Sequence, residues 1–165
     1  MATAKQAERT AREALMHAYL EAWNLHDPDA VAAFFSSDAV YDDRGAGTVA
    51  RGVNEIRAHV ASVQTGFSDL RFELLRAAHG EDFNAGEWTA TMTHSGELEG
   101  LRATGRRVSS AGVDVATLDE KDQITHLVSY YDGAAIMREL GVLPPRGSRL
   151  ERALVRAASL LPRRP

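Results

Sequence analysis

The chain has 165 residues, a net charge of −4, ordinary apolar and charged fractions and no cysteine. That length suits one domain with a core large enough to enclose a pocket. Lack of cysteine excludes disulfides, a thiolate nucleophile and Cys-ligated metal. No apolar run is long enough to span a bilayer, so a cytoplasmic location is expected. The charge is uneven: from Arg146 onward six arginines face Glu151 alone, a net of +5, which leaves −9 on residues 1–145. An acidic body argues against nucleic acid as a partner, because phosphate contacts need clustered cations.

Taken in chain order, the first element is a helix from about Lys5 to Asn24, with Leu15, Ala18, Tyr19, Ala22 and Trp23 on one stripe. Tyr19 has a ring that suits a core and a hydroxyl that needs a partner, either a backbone carbonyl or a group in a pocket. Asp27 then reads as the N-cap of a second helix with Pro28 at its first position and Ala30, Val31, Phe34 and Phe35 turned inward. From Ala39 to Asp43 a short strand ends in Asp42 and Asp43. Adjacent strand residues face opposite ways, so at most one of these carboxylates points inward. Gly45 to Arg51 reads as a loop or short hairpin arm, and Arg51-Gly52 leads into a third helix with Val53, Ile56, Val60 and Val63 inward.

Four strands follow, from Leu70 to Ala78, Phe83 to His94, Arg107 to Leu118 and Ile124 to Tyr131. Helices followed by hairpin-connected strands predict an α+β fold with a curved, mainly antiparallel sheet. On the second of these strands Trp88, Ala90, Met92 and His94 share one face, and His94 is either a satisfied core or rim residue or a pocket group. Asp114 stands mid-strand opposite two valines, where Asp is disfavoured, and so needs an ion pair or a function. Alternation along the last strand groups Ile124, His126, Val128, Tyr130 and Asp132 on one face. Asp132 then either caps the short helix that contains Ile136, Met137 and Leu140, or serves a site. His94, His126 and the aspartates have no metal-ligand spacing.

Several of these segments resemble SnoaL-like polyketide cyclases of the nuclear transport factor two-like superfamily. The resemblance rests on Asn24, Asp27, Phe34 and Asp38; Arg51-Gly52; Phe67-Ser68-Asp69-Leu70; Thr93-His94-Ser95-Gly96; Thr104-Gly105-Arg106; and Tyr131-Asp132 with Leu140-Gly141-Val142. It covers roughly Ala14 to Val142. It implies a cone-shaped α+β barrel in which a long N-terminal helix and short helices pack on a strongly curved antiparallel or mixed sheet. It also implies cofactor-independent aldol cyclisation of an apolar, polyketide-like small molecule, without metal, with Asp132 as general acid/base. Similarity to ketosteroid isomerases, within the same superfamily, implies a second arrangement: Asp43 as base, with Tyr19 and Asp114 as oxyanion donors. Trp88, Met92, His94, Tyr130, His126, Tyr41 and Asp42 complete the expected pocket. A non-catalytic ligand-binding domain of the same fold remains a third reading.

The cyclase-like domain is expected to span residues 1–145, with 146–165 a basic amphipathic extension beyond the Pro144-Pro145 break. Ser148-Arg149-Leu150-Glu151 has the form of a capping box. Leu150, Leu154, Ala157, Ala158 and Leu161 make a stripe expected to pack on the acidic body or a second subunit, within a homodimer, rather than on a membrane.

Overall fold

The computed structural model describes residues 14–160. The expected helix start near Lys5 lies outside them. Helix α1 (14–24) buries Met16, Tyr19, Leu20, Ala22 and Trp23. Ala18, placed on the inward stripe by its spacing, is exposed, so the buried face is turned toward Met16 and Leu20. Asp27 caps α2 (Pro28–Ala32) as expected, accepting from the Asp29 N–H. That helix stops short of Phe35, because the Ile124 N–H donates to the Phe34 carbonyl and draws Phe35 into β1 (Phe35–Asp43).

The hairpin arm after β1 is a strand, β2 (Thr48–Arg51), followed by α3 (Gly52–Gly66), β3 (Arg71–His79), β4 (Phe83–Thr93), β5 (Arg107–Leu118), β6 (Ile124–Tyr131), α4 (Gly133–Glu139) and α5 (Arg149–Ser159). The six strands form one sheet in the order β2-β1-β6-β5-β4-β3. All pairings are antiparallel except that of β1 with β6. The sheet is therefore mixed, and it matches the expected cone-shaped α+β architecture.

Even-numbered residues of β4 and β5 point inward: Trp88, Ala90 and Met92 on one strand, Val108, Asp114 and Ala116 on the other. This alternation is what a sheet with one covered face requires. Helix α1 lies against that inner face, with Trp23 edge-on to Phe72 at 5.7 Å. Asn24 anchors its end: Oδ1 accepts from Phe72 N–H at 2.7 Å and Nδ2 donates to Phe72 O at 3.0 Å. One side chain thus behaves like an added strand residue on β3. Helix α3 packs on β1 and β2, and α4 on β5.

Strand β6 departs from the expected alternation. Thr117 pairs with His126 but Leu118 pairs with Ile124, so Thr125 is an extra, bulged residue. A bulge flips the side-chain alternation downstream. Ile124 is inward, but beyond the bulge Leu127, Ser129 and Tyr131 turn inward, while His126 and Tyr130 face solvent. At the C-terminal end Ser148 caps α5, accepting from the Glu151 N–H at 3.1 Å. No residue of α5 is buried. Among the described residues no helix is long and apolar enough to cross a membrane.

Candidate functional site

Register alone brings the key carboxyl groups together. Asp43 on β1 pairs with Ser129 on β6, and Ser129 pairs with Asp114 on β5. Inward-facing residues of one rung therefore read Asp43, Ser129, Asp114, all buried. Strands are about 4.8 Å apart, which sets the two carboxylate-bearing positions about 10 Å apart with the serine between them. They stand on the wall of a cavity of about 370 Å³. Its apolar lining includes Trp23, Tyr41, Phe67, Phe72, Trp88, Met92, Leu98 and Met137.

Two donors converge on one oxygen of Asp114. Trp88 Nε1–H reaches Oδ1 at 3.0 Å and the Ser129 hydroxyl reaches the same Oδ1 at 2.6 Å. The indole can lie in this position because residue 112, its cross-strand neighbour, is glycine: a Cβ there would stand 2.5 Å from the Trp88 ring. Burial pushes the Asp114 carboxyl up to about 6, against the lowering effect of the Ser129 and Trp88 hydrogen bonds, and the charge of Asp43 adds to the rise. Both donors occupy Oδ1, so Oδ2 is the oxygen on which a proton can come and go.

Asp43 is held in the opposite way. Burial pushes its carboxyl up, but His59, the Ala46 N–H and the Tyr131 hydroxyl together outweigh this and keep it below the ordinary carboxylate range. Ala46 N–H donates to Oδ1 at 2.9 Å, and His59 Nε2 lies 3.3 Å from Oδ2. The Tyr131 hydroxyl is shifted well upward by burial and by Asp43, so it remains a proton donor at all ordinary pH. One cavity thus presents two carboxyl groups with opposed proton affinities, the pattern that separates acid and base roles.

The other expected site residues fall into three places. Trp88, Met92 and Tyr41 line the cavity with Asp43 and Asp114. Tyr19 is fully buried one layer behind: its hydroxyl lies against Trp23 and Tyr41 without a hydrogen bond of ordinary geometry, and it does not line the cavity. His94 is also fully buried and off the lining; its Nδ1 accepts from the Thr104 N–H at 3.2 Å and its ring packs on Phe67. The third group lies outside. Tyr130 and His126 face solvent because of the β6 bulge, and Asp42 points away from Asp43 to pair with Arg44 at 2.6 Å. Asp132 is not in the cavity either: its carboxylate caps α4 by accepting from the Ala135 N–H at 2.9 Å, and its side chain is 58% exposed. Of its two sequence readings, the cap is the one its position satisfies.

Sequence reasoning passed over His59, Ser129 and Tyr131. A signal existed for His59, since 56, 59, 60 and 63 share one helical face with the apolar stripe of α3. Ser129 and Tyr131 carried none, because the bulge reversed their face.

A family model, that of the SnoaL-like polyketide cyclases, matches residues 13–140, most of the chain. The chain belongs to the SnoaL-like polyketide cyclase family. No curated protein sequence matches it. Among solved structures it is similar to AclR of Streptomyces galilaeus, a candidate hydroxylase, at 24% identity with a TM-score of 0.73, covering 92% of this chain and 94% of AclR. It is also similar to IdmH of Streptomyces antibioticus, a candidate polyketide cyclase, at 21% identity with a TM-score of 0.66, covering 79% and 98%. A protein of ketosteroid isomerase-like fold from Catenulispora acidiphila is similar at 17% identity with a TM-score of 0.67, covering 79% and 97%. At these identities the likeness establishes the fold of this SnoaL-like chain, while its chemistry has to come from the cavity.

Proposed function

We propose that this SnoaL-like protein catalyses intramolecular aldol cyclisation of an apolar, polyketide-like molecule without a cofactor, with Asp114 as the proton-transfer group. The observation that supports this reading is the buried Asp114 carboxyl on the cavity wall, with both hydrogen-bond donors on Oδ1. A general base works best when its pKa lies near the working pH, and Asp114, at about 6, is closer than Asp43. Oδ2 takes a proton from a carbon next to a carbonyl, and the electron pair moves onto that carbonyl oxygen as an enolate. The Tyr131 hydroxyl, on the lining beside Asp43, turns from that carboxylate to donate its one proton to the enolate oxygen, while His59 stays against Asp43. The enolate carbon then attacks a second carbonyl of the same molecule. A C–C bond forms, the attacked C=O becomes an alkoxide, and the proton on Asp114 returns to it. Aromatic walls hold the folded chain so that the reacting carbons meet.

A ketosteroid isomerase-like reading reverses the roles, with Asp43 as base and Asp114 as a protonated donor. Burial of Asp114 favours it, since a neutral carboxyl can donate. Against it, three donors already surround Asp43, and Tyr41 and Trp23 stand between Tyr19 and the cavity.

The direction of the pH dependence separates the two. If Asp114 is the base, turnover of an aromatic polyketide-type substrate rises with pH through about 6, and Asp114→Asn removes that limb and lowers turnover about a hundredfold or more. Turnover that falls as pH rises through the same region assigns Asp114 as donor and overturns the cyclase mechanism.

A further inference from the structure

We infer that α5 is a self-association element: its apolar stripe pairs with the α5 stripe of a second copy of this chain. The helix is built to stand, not to trail. Ser148 caps it, and Arg152 Nη1 bonds the Gly147 carbonyl at 2.6 Å. Glu151 bonds the Gly147 N–H and lies 3.8 Å from Arg138 on α4. These contacts sit in the first turn and set the helix direction, yet among the described residues its leucines stay largely uncovered: Leu150 is 60% exposed and Leu154 52%. An isolated helix this short is marginal in water, so its apolar face needs a surface to pack against.

The spacing identifies that surface. Leu150, Leu154 and Ala157 are four and three residues apart, and the sequence repeats the step of four at Leu161, beyond the described residues. That is the core spacing of a coiled-coil seam. Arg149, Arg152 and Arg156 all fall at positions outside the seam and its flanks. A second α5 can therefore lie on the stripe without arginine meeting arginine, and the alanine permits close approach. A lipid surface fits less well. The arginines lie on the side opposite the stripe, so with the leucines inserted they would point to water instead of flanking the headgroups. Exposed Val142 and Leu143, in the segment leading into α5, enlarge the uncovered apolar surface. The described part of the seam, Leu150, Leu154 and Ala157, is far smaller than the ~1,200 Å² or more of a standard interface, so the association should depend on concentration.

Light-scattering mass measurements on the full chain over a concentration series test this, with Leu154→Glu beside the wild type. The expected result is a twofold fall in mass at matched concentration for L154E, with the circular dichroism of the body retained. Wild-type protein that stays monomeric throughout, or an L154E mass equal to wild type, overturns the proposal. Because the chain lacks cysteine, single cysteines provide a second measurement. Ala157→Cys should cross-link two copies with a short bismaleimide, and Arg152→Cys, on the back of the helix, should not. Equal cross-linking at both overturns helix-to-helix pairing. Flotation of wild type with phosphatidylglycerol vesicles that L154E abolishes, without any change in mass, overturns it in favour of a lipid surface.

Discussion

Asp114→Asn should make the protein more stable while it removes the proton-transfer group, and the gain should grow with pH. The folded-state carboxyl titrates at about 6, against 3.8 for an unperturbed one. Because the folded value is raised, the folded state binds the proton more tightly. Stability is fully present below the unfolded value and is lost as pH rises from there through the folded value. At pH 8 the carboxylate is ionised in both states, and keeping it ionised in the apolar wall costs about 3 kcal/mol. At pH 5 the same linkage gives a smaller penalty of about 1.5 kcal/mol. Asparagine keeps an Oδ1 that can accept from Trp88 and Ser129, but carries no charge at any pH. Thermal unfolding at pH 5 and pH 8, followed by circular dichroism, should therefore show D114N ahead of wild type by roughly twice as much at the higher pH. For a domain of this size about 3 kcal/mol corresponds to roughly 6–12 °C in Tm. A D114N protein less stable than wild type at pH 8, or one shifted equally at both pH values, would refute the assignment of Asp114 as a desolvated, proton-binding carboxyl.

Trp88→Phe keeps the ring but deletes the N–H that lowers Asp114, so the rising limb of the pH–rate profile should move upward by about half to one pH unit, the worth of one hydrogen bond; an unmoved limb argues that Asp114 does not set it. Asp43→Asn takes away the carboxylate shared by His59, Tyr131 and Ala46, and should lower both stability, by about 1–3 kcal/mol, and turnover at neutral pH. Its folded value is depressed, so the wild-type contribution is present above the unfolded value and lost as acid brings the pH down through the folded one; the D43N deficit should shrink accordingly in acid titrations of unfolding. Asp132→Ala should remove the α4 cap and an exposed ion pair with Arg146, about 0.5–2 kcal/mol in a denaturation curve, with turnover within a few-fold of wild type; a hundredfold loss would restore Asp132 to the mechanism. Gly133→Ala places a Cβ 1.9 Å from the Gly45 carbonyl oxygen, forcing the loop after β1 away from α4, and should destabilise by about 1–3 kcal/mol.

Local chemistry was enough to determine most of the elements of this protein, because each is written in adjacent residues. Asp27-Pro28 caps and starts α2, and Ser148 to Glu151 starts α5. The period-two pattern on β4 put Trp88 and Met92 on the inner face, and Asp114 stands out among its valines by residue type alone. The family motifs, spread in order from Asn24 to Val142, were legible for the same reason. Tertiary structure decided what depends on register and on which face wins. An extra residue at Thr125 reversed the sides of β6, so Ser129 and Tyr131 entered the cavity in place of His126 and Tyr130. Parallel pairing of β1 with β6, between strands far apart in sequence, is what lines up Asp43, Ser129 and Asp114 on one rung. Those pairings also explain why Asp132, one residue beyond β6, became a helix cap: its carboxylate had an N–H within reach at Ala135, and the inward position beside it was already held by Tyr131. The proton affinities of Asp43 and Asp114 belong wholly to this level. Burial raises both carboxyls: at Asp114 it prevails over the two donors on Oδ1, and at Asp43 the three groups around the carboxylate outweigh it.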